Sequence, residues 1–278
     1  EDRRAGGTIG IPTGFKRLDY AMGGLQRGRF IVTAARTGIG KSWMNLAFVA
    51  SAVTNGYKIG LYPLEMPIEE VALRLYTVFS QIEYGPGKAL RNLDLAQGRI
   101  TVKKCVKLMH LLEDKYEGQL FVADMGRLSD PYTIARIDAE QAVYGFDMTW
   151  IDYITLLKAP GVGRNGQEDH TTVKALSNGC KQMAMKWKMV VGASAQFNRA
   201  AVSGRHFLPR LEHLSFGDSI GADCDGAISL NRKGQYLYYA LVKHRGGPEV
   251  PKTRVLWNPD EGEIKEDENQ IEEDDDDE

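Results

Sequence analysis

The sequence is poor in cysteine and has no long apolar run, and each absence excludes classes of protein. Its three cysteines, Cys105, Cys180 and Cys224, lie far apart and form no CxxC pair, which argues against a structural zinc site and against a disulfide framework. No stretch approaches the roughly 18 apolar residues of a membrane span, and no signal-peptide pattern is present. We therefore expect a protein of the reducing cytoplasm with no membrane partner.

Acidic residues are outnumbered by basic ones outside one terminal stretch. The net charge is −2, but residues 266–278 alone hold 10 acidic residues and no basic ones. The remainder holds 27 acidic and 35 basic residues, a net charge of +8. Such a basic body suits a polyanion such as nucleic acid, although a solvated surface without a partner has the same composition.

Strand-like and helix-like segments alternate along most of the chain. Strands are predicted at 29–34, 58–65, 119–124, 148–157 and 189–197, and helices at 41–55, 67–82, 95–116, 131–145 and 171–187. This alternation predicts an α/β fold with a mostly parallel, twisted sheet and helices on both faces. Further strands, without helices between them, predict an antiparallel extension at 226–232, 235–245 and 252–258.

The stretch "AARTGIGKSW" (34–43) lies between a predicted strand and a predicted helix, as a phosphate-binding loop does. Backbone N–H groups and the helix N-terminus would hold the phosphates, and Gly38 and Gly40 let the backbone approach closely. Lys41 supplies positive charge, and Ser42 supplies a hydroxyl for Mg²⁺. The expected nucleotide-binding residues are Ala35, Arg36, Thr37, Gly38, Ile39, Gly40, Lys41 and Ser42.

Carboxylates at the ends of apolar strands are the expected metal ligand and water-activating group. Asp152 ends the apolar run "MTWID", where a charge is costly unless it faces a polar site; Asp124, at the end of another strand, is the rival. Glu65 ends the strand that follows the phosphate-loop helix. Because strand ends in open α/β sheets point toward the ligand crevice, Glu65 and Asp152 are both expected to face the phosphates.

Five stretches, in their order along the chain, together resemble the DnaB-type hexameric replicative helicases: "AARTGIGKS", "YPLEMP", "WIDYITLL", "GASAQFNR" and "LVKHRGG". The segment "PTGFKRLDYAMGGL" (12–25) resembles the start of their ATPase domain, and alanine at position 35 is normal there. The resemblance covers roughly residues 8–260. It implies a RecA-like ATPase motor domain at 29–260, preceded by a leading segment or linker at 1–28. Because the end of the chain is acidic and poor in apolar residues, we expect a disordered tail at 261–278.

The resemblance also implies roles for residues. Glu65 would be the general base for water, and Asp152 would hold Mg²⁺. Gln196 would sense the γ-phosphate or relay its state to DNA. Lys243 and Arg245 of "KHR" would reach into the ATP site of a neighbouring subunit.

The resemblance is weaker in the DNA-contacting loop. The family usually carries an Arg-Glu pair before Ser-Gly, whereas "EHLSFGDSIGADCD" (212–225) has Ser215 and Phe216 at that pair. Backbone N–H groups around Gly217 remain candidates for phosphate contact. Basic residues of the polar loops are further candidates, with ordinary surface charge as the alternative for each: Lys158, Arg164, Arg199, Arg205 and Arg210.

The function expected from the resemblance is an ATP-driven replicative helicase motor, a hexameric ring that moves 5′ to 3′ on single-stranded DNA in bacterial or phage-infected cytoplasm. The alternatives are a RecA- or KaiC-like ATPase, the helicase half of a primase-helicase, or a DNA-binding or loading module with a decayed ATP site. Primase, polymerase or other replication proteins are the expected partners. The acidic tail would dock on such a partner, compete with DNA for the channel, or serve solubility alone.

Overall fold

In a computed structural model, the residues described are 9–124, 132–158, 170–198, 207–214 and 217–268. Within them, nine strands form one sheet in the order β3-β2-β4-β5-β1-β6-β7-β8-β9. The strands are β1 Phe30–Ala35, β2 Ile59–Pro63, β3 Leu120–Val122, β4 Met148–Asp152, β5 Val190–Gln196, β6 Gly226–Lys233, β7 Tyr236–His244, β8 Val250–Asn258 and β9 Glu263–Glu266. The first six are mutually parallel and the last three add antiparallel pairs, which confirms the predicted α/β fold.

Helices connect the parallel strands and cover the sheet. In the described part of the chain they are α1 Lys16–Met22, α2 Lys41–Thr54, α3 Ile68–Tyr84, α4 Asn92–Ala96, α5 Val102–Tyr116, α6 Ile134–Tyr144, α7 His170–Trp187 and α8 Gly217–Asp223. Short 3-10 turns lie at Ile154–Leu156, Leu211–His213 and Pro259–Glu261. Across these ranges, none of the helices is both long enough and apolar enough to cross a bilayer.

The sheet is buried on both faces, as a parallel sheet requires. Successive residues of β1 point to opposite faces: Ile31 joins the core that contains Phe48 of α2, and Val32 joins the core that contains Leu176 of α7. All six residues of β1 are buried. The continuous apolar runs that predicted the central strands therefore reflect helices packed on both sides.

The residues before β1 pack as part of the domain. Ile11 and Leu25 exchange backbone hydrogen bonds of 2.9 and 2.7 Å. Both residues belong, with Phe15 and Leu18, to the core on the α2 face. The part of the leading segment that the structure describes is therefore anchored to the sheet.

Several elements differ from their predicted extents. The strand predicted at 58–65 ends at Pro63, so Glu65 lies two residues beyond the strand that it was predicted to end. The strand predicted at 148–157 ends at Asp152, whose carbonyl accepts the Leu64 and Glu65 N–H groups at 2.7 and 3.2 Å. The helix predicted at 95–116 begins only at Val102, because Gly98 takes a positive φ of 64° between α4 and α5. Residues 263–266, predicted to lie in the acidic tail, form β9 on the sheet edge; residues 269–278 lie outside the described residues.

Candidate nucleotide-binding site

The phosphate-binding loop joins the carboxyl end of β1 to the amino end of α2. Gly38 and Gly40 take positive φ values of 79° and 121°. Residues other than glycine rarely adopt this region of backbone conformation. The Arg36 guanidinium donates to the Phe197 carbonyl at 3.0 Å, which fixes the loop to the end of β5. The glycines predicted from the motif are therefore required by the backbone itself.

A cleft of about 400 Å³ opens above this loop. It is lined by Arg36, Thr37, Gly38, Gly40, Lys41, Ser42, Trp43, Glu65, Met66, Glu70, Arg74 and Gln196. Six of the eight predicted nucleotide-binding residues are in this lining. The other two do not line it: Ala35 is buried as the last residue of β1, and Ile39 packs against the core.

Lys41 is the buried cation of the cleft, with only 8% of its surface exposed. Its Nζ lies 3.4 Å from the Ala195 carbonyl and 5.1 Å from the centre of the Tyr153 ring. Burial lowers the pKa of Lys41 below that of an ordinary lysine, and the charges of Asp152 and Glu65 offset this only in part. A buried cation with a lowered pKa is stabilised when an anion binds beside it.

The two predicted carboxylates lie beside each other at the carboxyl ends of neighbouring strands. β2 pairs with β4 so that Pro63 is opposite Asp152, and the Glu65 N–H donates to the Asp152 carbonyl at 3.2 Å. Glu65 is exposed to the cleft, whereas Asp152 is buried. Asp124, the alternative candidate for the metal ligand, follows β3. This strand lies at the edge of the sheet, further from β1 than β4 is.

The residues present fit a magnesium ion with a nucleotide. Asp152 Oδ1 is buried without a hydrogen-bond partner among the described residues, a costly arrangement unless a ligand satisfies the atom. Ser42 lies in the first turn of α2 and lines the cleft, whereas Asp152 is buried and is not part of that lining. No group of three or more His, Cys, Asp or Glu side chains in the described ranges forms an all-protein metal cage. One carboxylate and one hydroxyl are the sparse set that Mg²⁺ uses when phosphates complete its shell.

Gln196 and the basic pair at the end of β7 lie at opposite ends of the strands. Gln196, the last residue of β5, is opposite Ala35 and lines the cleft. By contrast, His244 is opposite Gly226, which in turn is opposite Ile31 at the amino end of β1. Lys243 and Arg245 are therefore about the length of β1, roughly 17 Å, from the phosphate loop of their own chain.

The predicted DNA contacts are only partly described. Arg164, Arg199 and Arg205 lie outside the described residues, as do Ser215 and Phe216. Lys158 donates its backbone N–H to the Tyr132 carbonyl at 2.9 Å, and Arg210 is exposed before a 3-10 turn. Gly217 begins α8. The segment that contains Arg210 returns to β5, where the Asn198 N–H donates to the His213 carbonyl at 2.9 Å.

Two features of the site escaped the sequence analysis. Arg74 of α3 pairs with Glu70 and stacks 5.2 Å from the centre of the Trp43 ring, which places a third cation on the cleft beside Arg36 and Lys41. The spacing of Glu70 and Arg74, four residues apart on a helix, was the available signal. A buried chain of hydrogen bonds also runs from Thr33 through Asn45 to Ser194, at 2.8 and 2.6 Å.

Together, the strand order, the glycine-bent loop and the cleft define a phosphate-loop nucleotide-binding domain with the RecA-like fold. The chain belongs to the DnaB-like helicase C terminal domain family, whose model matches residues 10–263.

Curated relatives match over nearly all of the chain. It is 26% identical over 253 residues to "Replicative DNA helicase DnaB" of Leifsonia xyli subsp. xyli (strain CTCB07), covering 87% of this chain and 53% of the relative. It is also 26% identical over 258 residues to the protein of the same name from Geobacillus stearothermophilus, covering 88% and 54%. The chain thus spans about half the length of these relatives.

Solved structures show the same fold. "ATPase Domain of G40P" superposes with a TM-score of 0.79 at 22% identity, covering 94% of this chain and 93% of that one. "The Structure Of A DnaB-Like Replicative Helicase And Its Interactions With Primase" gives a TM-score of 0.79 at 20% identity, covering 95% and 64%. A KaiC-like protein of Pyrococcus horikoshii OT3 is more distant, with a TM-score of 0.61 at 12% identity, covering 92% and 98%.

Proposed function

We propose that this chain is the ATP-hydrolysing motor of a replicative DNA helicase. The observation that carries the proposal is the convergence of Lys41, Glu65 and Asp152 at the carboxyl ends of β1, β2 and β4. Lys41 and the loop N–H groups would bind the phosphates, and Glu65 would accept a proton from the attacking water. Gln196 would contact the γ-phosphate from the end of β5, and Arg74 would add a third cation to the cleft.

The same cleft suits Mg²⁺ bound with ATP. Ser42 Oγ and Asp152 Oδ1 would hold the ion, which when bound neutralises charge that develops on the phosphates. The orphaned Oδ1 of Asp152 supports this assignment.

Subunits would share their ATP sites in a homo-hexameric ring. Lys243 and Arg245 lie at the end of the sheet opposite their own phosphate loop, so they can act only on a nucleotide held by another subunit. A trans-acting arginine is worth about 10³–10⁵ in rate in other phosphoryl-transfer enzymes. It makes hydrolysis depend on the contact between subunits.

Single-stranded DNA would pass through the ring and be held by its phosphates. Lys158, Arg210 and the backbone around Gly217 are the proposed contacts within the described residues. Arg164, Arg199 and Arg205 are the proposed contacts outside them. The same proposal includes translocation from 5′ to 3′, primase and polymerase as partners, a cytoplasmic location and docking of the acidic tail on a partner. It also includes a motor domain at 29–260 between a linker at 1–28 and a tail at 261–278, of which residues 11–25 and β9 pack on the motor domain.

Unwinding of forked DNA tests this function. The substrates are forks in which only the 5′ arm or only the 3′ arm is single-stranded and the other arm is duplex. Each is incubated with ATP and Mg²⁺ and with wild type, Lys41→Ala or, as a matched control, Lys58→Ala. Lys58 is an exposed lysine just before β2, at the opposite end of the strands. We expect wild type and Lys58→Ala to unwind 5′-tailed forks and Lys41→Ala to fail.

Each other outcome points to a different class. ATPase activity without unwinding would favour a RecA- or KaiC-like ATPase. DNA binding without ATPase activity would favour a binding or loading module, and unwinding of 3′-tailed forks alone would overturn the proposed direction.

A further inference from the structure

Asp225, between α8 and β6, is a buried carboxylate held by three cations. Only 3% of its side chain is exposed. Oδ2 accepts from Lys181 Nζ at 2.6 Å and from the Phe30 N–H at 2.8 Å. Oδ1 accepts from the guanidinium groups of Arg29 and Arg245, each at 3.2 Å. Although burial alone would raise the pKa of Asp225, Lys181, the Phe30 N–H and Arg29 lower it overall, so the carboxylate is charged at neutral pH.

The backbone ties the same residue to both β1 and Arg245. The Asp225 N–H donates to the Phe30 carbonyl at 2.7 Å, and the Arg245 N–H donates to the Asp225 carbonyl at 2.8 Å. Arg245 is thus linked, through one residue, to the first residue of the strand that ends at the phosphate loop. β1 therefore has the chain's own nucleotide cleft at its carboxyl end and Arg245 near its amino end.

The last turn of α8 holds the two cations of the β7 end in place. The Arg245 guanidinium also donates to the Ala222 carbonyl at 3.1 Å, and Lys243 Nζ donates to the Gly221 carbonyl. Only NH1 and NH2 of Arg245 take part in these bonds, and 48% of its side chain is exposed. Since a guanidinium carries five N–H donors in a fixed plane, its remaining donors can face a phosphate outside the chain.

We propose that Asp225 is the positioning residue for Arg245: it fixes the plane of the guanidinium so that the free donors point at the nucleotide of the adjacent subunit. This role rests on the proposed trans action of Arg245. A long, half-exposed arginine without such a partner samples many rotamers, and ordering them at each turnover costs rate. Asp225 removes that cost before the subunits meet.

The alternative is that Asp225 only anchors β1 and β6. An anchor would act on the fold and on the chain's own cleft, whereas a positioning residue acts only through Arg245. The two roles therefore differ in which variant combinations lose activity.

The experiment compares Asp225→Asn, Arg245→Ala and the double variant in DNA-stimulated ATPase assays. Affinity for a fluorescent ADP analogue reports on each chain's own cleft. Asp147→Asn is the matched control: Asp147 also pairs with an arginine, Arg27, at 2.5 Å and accepts a backbone N–H at the same end of the sheet, beside β4 rather than β7. Mixtures with Lys41→Ala subunits test action in trans.

We expect Asp225→Asn to lower kcat by roughly 10- to 100-fold, since a misplaced catalytic group costs about 10² in rate. ADP affinity should be unchanged, the double variant should be no worse than Arg245→Ala, and Asp147→Asn should match wild type. Mixing Asp225→Asn with Lys41→Ala subunits should restore part of the activity. The intact cleft of an Asp225→Asn subunit can then meet the Arg245 of a Lys41→Ala subunit, which Asp225 still holds in place.

Several results would overturn the inference. Among them are a normal kcat for Asp225→Asn while Arg245→Ala is impaired, further loss in the double variant, and no recovery in mixed oligomers. A normal kcat for Arg245→Ala would instead overturn the proposed trans action itself. If Asp225→Asn does not fold in a thermal melt, Asp225→Glu decides: it keeps the charge but shifts the carboxylate, so a normal kcat for that variant counts against positioning.

Discussion

Replacing Asn45 by alanine should destabilise the chain, because Asn45 is the middle of a buried polar chain beside the phosphate loop. Thr33 Oγ1 donates to Asn45 Oδ1, and Asn45 Nδ2 donates to Ser194 Oγ, at 2.8 and 2.6 Å. All three residues are at most 1% exposed. Asn45 lies one turn after Lys41, so these bonds fix the start of α2 against β1 and β5.

The size of the effect follows from the groups left behind. The alanine variant leaves the Thr33 and Ser194 hydroxyls without their partner, and each buried, unsatisfied group costs about 1–3 kcal/mol. Thr33 and Ser194 are opposite each other on paired strands, so they can partly satisfy one another. We therefore expect a loss of about 2–4 kcal/mol. That corresponds to a melting temperature roughly 5–10 °C lower in a domain of this size.

Urea and thermal unfolding followed by circular dichroism measure the loss. The matched control is Asn55→Ala, since Asn55 is exposed at the end of the same helix and donates to the Ser51 carbonyl at 2.8 Å; its loss should stay within about 0.5 kcal/mol. Adding Thr33→Val and Ser194→Ala to Asn45→Ala removes the orphaned hydroxyls and should recover stability. A loss below about 1 kcal/mol for Asn45→Ala, or no recovery in the triple variant, would refute the reasoning.

Three further predictions concern the cleft. Glu65→Gln should lower the ATPase kcat by about 10²–10⁴ while nucleotide affinity is kept, because it preserves shape and removes the base; Glu70→Gln, at a second carboxylate of the cleft, is the control, and normal turnover by Glu65→Gln would show that the base lies elsewhere. Lys41→Met should be more stable than wild type at neutral pH without nucleotide, because burial lowers the pKa of Lys41. Between the lowered pKa of the folded state and the ordinary lysine value of 10.5, the unfolded chain binds more protons, so wild-type stability rises with pH and the difference shrinks toward pH 10.5; urea titrations of both proteins across that range check the sign. Gly40→Ala should weaken nucleotide binding and stability, since φ is 121° and a Cβ would lie 2.4 Å from the Trp257 ring; Trp257→Ala in that background should recover only the part due to the clash, and full recovery would show that the φ value carries no strain.

Much of the fold and of the cleft could be predicted from the sequence because the signals are local. Apolar runs bounded by glycine and polar residues predicted the strands, and the Gly-Lys-Ser motif with its glycines predicted a phosphate-binding loop over residues 35–42. Glu65 and Asp152 were predicted from their positions at strand ends. The structure brings them together because β2 and β4 are neighbours in a parallel sheet, and the charges of both act on Lys41.

The sequence by itself determined the glycine-bent loop between β1 and α2, because such a loop is a local property of about ten residues. Strand order, by contrast, depends on pairings between distant segments. It decided that Asp152 lies nearer the cleft than Asp124 and that Arg245 lies at the end of the sheet remote from its own loop. Only the tertiary structure brought Asp225, Arg29, Lys181 and Arg245 together, because a buried carboxylate must find its cations wherever the packed chain places them.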